Sequence, residues 1–214
     1  MISNINKVIK IIVSIDFVIN SAFGSFGPVF AIFLTDRIVG GGAQVAGFAT
    51  AAYWVTKSIL QLPIARFLDR TDGERDDFFA LFFGYMAASI AVLLFVFAST
   101  PFHIYLIQGL LGAAMSFVVP AWYGIFTRHI DKGHTSFEWS VESVFSVGMA
   151  TSLSGALGGI IVTKFGFETL FIGASALSFL GSLCILFLYP HMSSKKIPAS
   201  INLAQLKMRQ KPHI

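Results

Sequence analysis

The chain has 214 residues, of which 55% are hydrophobic and only 12% charged, with 23 phenylalanines and a formal net charge of +4. A water-soluble globule needs more polar surface than this, so water is excluded as the solvent for most of the molecule. The positive balance does not point to nucleic acid, because the basic residues sit between or beyond apolar stretches and not on one amphipathic face; it fits a basic rim against an anionic lipid bilayer.

Six long apolar stretches follow one another at 8–34, 42–65, 78–98, 102–127, 141–163 and 169–189. Each has about 20 residues or more, enough at a rise of about 1.5 Å per residue to cross a hydrocarbon layer of roughly 30 Å. Backbone groups in lipid must be paired within their own segment, so the stretches are predicted to be helices. The expected fold is therefore all-α and polytopic, with a six-helix transmembrane domain at 1–191 and a basic cytoplasmic tail at 192–214. Within that tail, 201–209 is readable as a short surface helix or as disordered chain.

Charge sets the expected orientation. Lys7 and Lys10 precede the first stretch, Arg66, Arg70 and Arg75 link the second to the third, and Arg128 and Lys132 link the fourth to the fifth. Lys195, Lys196, Lys207, Arg209 and Lys211 follow the sixth, whereas the opposite links hold only Arg37 and Lys164. Positive charge stays inside, so both termini are expected in the cytoplasm, with a bacterial plasma membrane as the setting.

In the first stretch Asp16, Asn20 and Gly24 recur at steps of four, giving one polar face that ends at the kink-prone Pro28. The length of this stretch and its polar residues are unlike a cleavable secretory signal. Lys57, inside the second stretch, lies at a depth similar to that of Asp16, which permits an ion pair between neighbouring helices. Two readings stand: Asp16 exchanges a proton or cation while Lys57 tunes it, or the pair is static and Lys57 snorkels to the headgroups.

The fourth stretch repeats the pattern with Gln108, Gly112, Ser116 and Pro120, either a cavity wall or interhelical glue. Ahead of it, Ser99 or Thr100 is placed to cap the helix and Pro101 to start it. The fifth carries Glu142, Ser146, Ala150, Ser154 and Gly158 at steps of four, with Gly155 and Gly159 beside them. Such a small-residue stripe lets another helix pack closely or slide.

The link between the second and third stretches is dense in charge from Asp69 to Asp77, with Gly73 permitting a turn. Asp76 and Asp77 suit the positive end of the third helix and otherwise read as a solvated loop. Asp69 and Arg70, at the membrane edge, suit an ion network that latches helices. The one cysteine, Cys184, lies in an apolar stretch, so no disulfide framework or thiolate metal cluster is expected. No nucleophile and base share a depth, so the expectation is no enzyme, no catalytic residue, no metal and no cofactor.

These residues resemble the major facilitator superfamily of secondary transporters. Its cytoplasmic signature, G-x-L-A-D-R-x-G-R-R, is matched by Ala65-Arg66-Phe67-Leu68-Asp69-Arg70-Thr71-Asp72-Gly73-Glu74-Arg75, with a turn one residue longer. The likeness continues through Gln108-Gly109, Pro120 and Gly158-Gly159-Ile160 to Phe165-Gly166-Phe167 and Phe171. It implies a cavity or coupling set of Asp16, Asn20, Lys57 and Gln108, with helices one, two, four and five around the path. It also implies a cytoplasmic gate of Asp69, Arg70, Arg75 and Arg128, completed by Glu138 or Glu142, with Arg128 as a partner of Asp69. Tyr105 stands where drug and proton antiporters carry arginine, and Ser154-Gly155 replaces their Gly-Pro, which speaks against drug antiport.

A whole member resembles two six-helix halves, and this chain resembles the amino-terminal one. The resemblance implies secondary active transport of a small solute by alternating access, with proton coupling through Asp16, and as partners a second six-helix half or a homodimer. The rival expectation is a non-transporting membrane scaffold or a truncated, inactive half.

Overall fold

A computed structural model describes residues 5–70 and 73–192, and every regular element among them is helical. The expected tail therefore lies outside the described residues, apart from Met192. The first helix, α1 (Lys7–Phe26), opens on Asn6, whose side chain accepts the Val8 N–H at 2.9 Å and relieves one of the unpaired donors of the first turn. Pro28 lacks the N–H that an α-helix needs, and the chain tightens there into a 3-10 turn at Gly27–Val29 before resuming as α2 (Phe30–Arg37).

Two long helices follow, α3 (Ala43–Arg70) and α4 (Arg75–Leu94), the latter ending in a 3-10 turn at Phe95–Phe97. The next, α5 (Pro101–His129), starts on Pro101, with Thr100 Oγ1 accepting the His103 N–H at 3.5 Å. A short α6 (Thr135–Val141) passes without a break into a π-helical segment, Glu142–Met149, and then into α7 (Ala150–Cys184). Gly166, at φ 83° and ψ 172°, interrupts α7 with a conformation that only glycine adopts readily, so the chain reverses there. A last 3-10 stretch runs over Ile185–His191.

Four helical stretches among the described residues are long and apolar enough to cross a membrane: Lys7–Arg37, Arg75–Phe97, Pro101–His129 and Thr135–His191. The 28 residues of α3 have the length, but Thr50, Lys57 and Gln61 dilute its apolar character. The outer surface agrees with lipid as the solvent. Phe48, Ile59 and Leu62 on α3, Phe83 and Ile90 on α4, and Leu157 and Ile160 on α7 all stand exposed.

Packing follows side-chain size. Towards the end of the bundle away from Lys7, Phe26, Phe33, Phe95 and Phe171 interlock with ring centroids 4.8–6.3 Å apart. Towards the other end Ile12, Phe78, Leu81, Ile125, Phe126 and Leu188 form a second apolar layer. Two seams are closer than these layers allow elsewhere. Along one, α1 meets the π-helical segment and α7: a methyl group on Gly158 would strike the Ser25 carbonyl, and one on Gly24 would strike Ser154 and Thr151. Along the other, Gly112 of α5 lies against the Tyr53 carbonyl of α3.

Of the three glycines expected to serve packing, Gly158 is thus in the seam and Gly155 borders it, since a methyl group added there would lie 3.2 Å from Pro28 Cγ. Gly159 is not: it sits one residue further round the helix and faces open space. The pair makes a controlled test. Gly158→Leu is expected to destabilise the purified protein by at least about 1–3 kcal/mol through overpacking, whereas Gly159→Leu leaves thermal unfolding in detergent unchanged; equal effects would contradict the seam.

Candidate functional site

Asp16 is 8% exposed although it is a carboxylate within an apolar helix. Helical spacing brings the Asn20 amide one turn above it, and Asn20 Nδ2 donates to Asp16 Oδ2 at 2.8 Å. From α4, Tyr85 Oη donates to Asp16 Oδ1 at 3.0 Å. The third neighbour is Glu142, at the start of the π-helical segment, whose carboxyl lies within hydrogen-bonding reach of Asp16. The expected ion pair with Lys57 is not formed: Lys57 extends its ammonium over Trp54, with Nζ 4.5 Å from the ring centroid. The reason is topological, since α3 packs on α5 and not against the Asp16 face of α1.

Glu142 is also displaced from its expected place. The resemblance put it in the cytoplasmic gate, whereas it is 4% exposed and sits beside Asp16, well inside the bundle. Ser146 Oγ lies 2.7 Å from Glu142 Oε2 and 3.0 Å from the Val13 carbonyl oxygen of α1. One hydroxyl has one proton to donate, so Ser146 serves one of these two acceptors at a time. The same count applies to the Asp16–Glu142 contact, because two carboxyl groups hydrogen-bond only with a proton between them. The arrangement can therefore hold and release a proton without a metal. Among the described residues no group of three or more His, Cys, Asp or Glu is placed to hold a metal ion.

This cluster borders a cavity of about 320 Å³ opening between α1, α5 and the π-helical segment. Asp16, Asn20, Tyr85 and Glu142 line it, together with Trp122, Tyr123 and Trp139. Gln108 and Lys57 are not part of it. Gln108 stands half-buried on α5, on the helix that meets α3 through Gly112, and makes no hydrogen bond among the described residues. Tyr85 and Trp139 escaped the sequence reading. A signal existed for Tyr85, the only hydroxyl-bearing ring among the phenylalanines at 78–85, because a buried phenol requires a partner.

A second polar cluster closes the end of the bundle near Lys7. Arg128, at the last turn of α5, donates from Nε to Glu74 Oε1 at 2.7 Å and from Nη2 to Asp77. Both carboxylates are almost wholly buried, so Asp77 is a structural anion and not part of a solvated loop. Arg128 was expected to meet Asp69. Helix α3 instead runs on to Arg70 and leaves Asp69 and Arg70 exposed, while Gly73, at φ 90°, turns Glu74 and Asp77 towards α5. Arg75 lies over the Tyr189 ring, 5.8 Å from its centroid. The cluster extends to the chain start: Asn6 N–H donates to Asp131 Oδ2 at 2.9 Å, and the Asp131 N–H donates to Glu138 Oε2 at 3.3 Å. None of the expected gate residues Asp69, Arg70, Arg75 and Glu142 pairs with Arg128.

A profile of the Major Facilitator Superfamily matches residues 12–210, nearly the whole chain. The chain belongs to the Major Facilitator Superfamily. It is thus an integral membrane protein of a transporter family and not an enzyme. No curated protein matches it. Among solved structures the fold is similar to that of the POT family transporter PepTSo, crystallised in meso, with a TM-score of 0.73 at 10% sequence identity. That alignment covers 89% of this chain and 39% of the other, so this superfamily member spans well under half of the structure it resembles.

Removing Arg128 takes the guanidinium away from two buried carboxylates. Arg128→Ala is expected to cost up to about 3–5 kcal/mol, with Arg128→Lys intermediate because it keeps the charge and loses the fork. Asp69→Asn is expected to leave thermal stability unchanged. Loss of stability from Asp69→Asn equal to that from Arg128→Ala would restore the pairing that the resemblance implied.

Proposed function

We propose that this superfamily member is one half of a secondary active transporter that moves a small solute by alternating access, coupled to protons through Asp16 and Glu142. The observation that carries this reading is the contact of these two carboxyls inside an apolar bundle, at the edge of a cavity. An ionisable group at such depth is costly unless it has a partner or a use, and a pair joined by one proton has both. The chain crosses the membrane six times in this reading, with α3 as the second crossing and the turn at Gly166 separating the fifth from the sixth. Both termini lie in the cytoplasm of a plasma membrane, as the distribution of lysine and arginine supports.

The path needs a second six-helix half, on the same polypeptide, on a separate one or from a second copy. The cavity opens on the side where Tyr123, Val144 and Val147 are about half exposed, and its carboxyls require a protein or water boundary there and not lipid. In the cycle, the halves rock about the cavity while the Arg128 cluster keeps α4 and α5 together as one body. The seam between α1 and α7, lined with small residues, is where closure shifts Asp16 relative to Glu142, so proton occupancy and conformation change together.

The test is flux in proteoliposomes containing the chain with a carboxy-terminal six-helix half. A proton gradient is expected to drive solute accumulation, and Asp16→Asn or Glu142→Gln each to lower gradient-driven flux at least tenfold while leaving exchange at equal pH measurable. Flux in Asp16→Asn protein with unchanged proton dependence would remove the coupling role. No flux under any gradient with both halves present would favour a scaffold.

A further inference from the structure

The cavity beside Asp16 has a chemistry that narrows the cargo. Three aromatic rings line it: Trp122 and Tyr123 on α5, and Trp139 on α6. Their centroids are 5.5, 5.8 and 6.0 Å apart pairwise, and their planes are inclined by 78°, 57° and 48°. Inclined rings at this spacing pack edge to face, so the three form one aromatic patch that borders the cavity. Phe126 stacks behind Trp122 at 4.8 Å and fixes its orientation from the core side.

Asp16 and Glu142 line the same cavity, and among the described residues no lysine, arginine or histidine does. Two carboxyls and three aromatic faces without a basic residue form a surface of one sign, since the faces of aromatic rings are negative. An anion finds no basic partner on this half of the cavity. The Trp122 indole N–H is buried behind this lining, without a hydrogen-bond partner among the described residues.

We propose that this cavity binds an organic cation, a quaternary or protonated amine, with Trp122, Tyr123 and Trp139 as its aromatic lining and Asp16 and Glu142 as its counter-charge. The volume of about 320 Å³ is enough for a small organic cation. A belt of interfacial aromatics is the ordinary use of tryptophan near a membrane edge. Trp122 does not fit it, being only 8% exposed and turned into a cavity that carboxyls share. As an account of cargo the proposal rests on the transport reading, but cation binding itself does not require flux.

The test uses the full chain in lipid nanodiscs with Trp54→Phe, so that emission comes from Trp122 and Trp139 alone. Tetramethylammonium, choline and tetraethylammonium are titrated, with 3,3-dimethylbutan-1-ol as the uncharged twin of choline. At least one cation is expected to saturate the signal, and choline to bind at least about tenfold more tightly than its uncharged twin. Trp139→Leu and Tyr123→Leu are each expected to weaken binding about tenfold, Tyr123→Phe to retain it, and Asp16→Asn to weaken it by more than either leucine. Thermal unfolding of each variant shows that it is folded.

No saturable binding by any of the three cations overturns the proposal, as does equal binding of choline and its uncharged twin, or unchanged affinity after both aromatic substitutions. Cation binding without flux in the two-half proteoliposomes would leave the cage standing and remove the transport reading. Proton-driven flux of another solute without cation binding would do the reverse.

Discussion

The close approach of α1 to α7 and its π-helical lead-in governs what this molecule can do. Gly24, Ser25, Ser154 and Gly158 allow the two backbones to come together where any larger side chain would hold them apart. That approach sets Asp16 against Glu142 and Ser146 against the Val13 carbonyl. Apolar surroundings make the contact consequential: in water two carboxyls would simply ionise and separate, whereas inside the bundle they have Tyr85, Asn20, Ser146 and each other. The small-residue stripe and the carboxyl pair are two parts of one arrangement, the first positioning the second.

The π-helical segment bears on the same point. At about 3.6 residues per α-turn, side chains spaced by four drift round the helix. The wider π turn offsets that drift and keeps Glu142 and Ser146 on the buried face that Ala150, Ser154 and Gly158 continue. π-turns occur often at functional sites, and here the local change of helix type sits at the residue that faces the cavity. The Arg128 cluster has a different character. It is a tightly paired, buried set of charges that ties α4 to α5, and through Asn6, Asp131 and Glu138 it reaches the start of α1.

Much of this was legible from residue order. The polar face of α1, the Thr100 and Pro101 start of α5, the break at Pro28 and the stripe from Glu142 to Gly158 all follow from spacing along one helix, where a period near 3.6 dictates which side chains share a face. Contacts between helices were less legible. Lys57 and Asp16 lie at similar depths, yet depth does not say which helices are neighbours, and α4 with Tyr85 takes the position that α3 was expected to hold. Arg128 was assigned to Asp69 by resemblance. The extension of α3 to Arg70 was not visible in a charged stretch that reads equally well as loop, so Glu74 and Asp77 were not recognised as the partners of Arg128. Trp139 fell between two expected spans, and only the early start of the fifth helix at Thr135 places its ring against Trp122.

The shared proton is the element on which coupling stands, and infrared spectroscopy observes it directly. In purified protein at neutral pH, the C=O stretch of a protonated carboxyl is expected in the wild type, and it is expected to shift or vanish in Asp16→Asn and again in Glu142→Gln, since each carboxyl is the other's hydrogen-bond partner. A spectrum in which every carboxyl is ionised, or one whose protonated band ignores both substitutions, would contradict it.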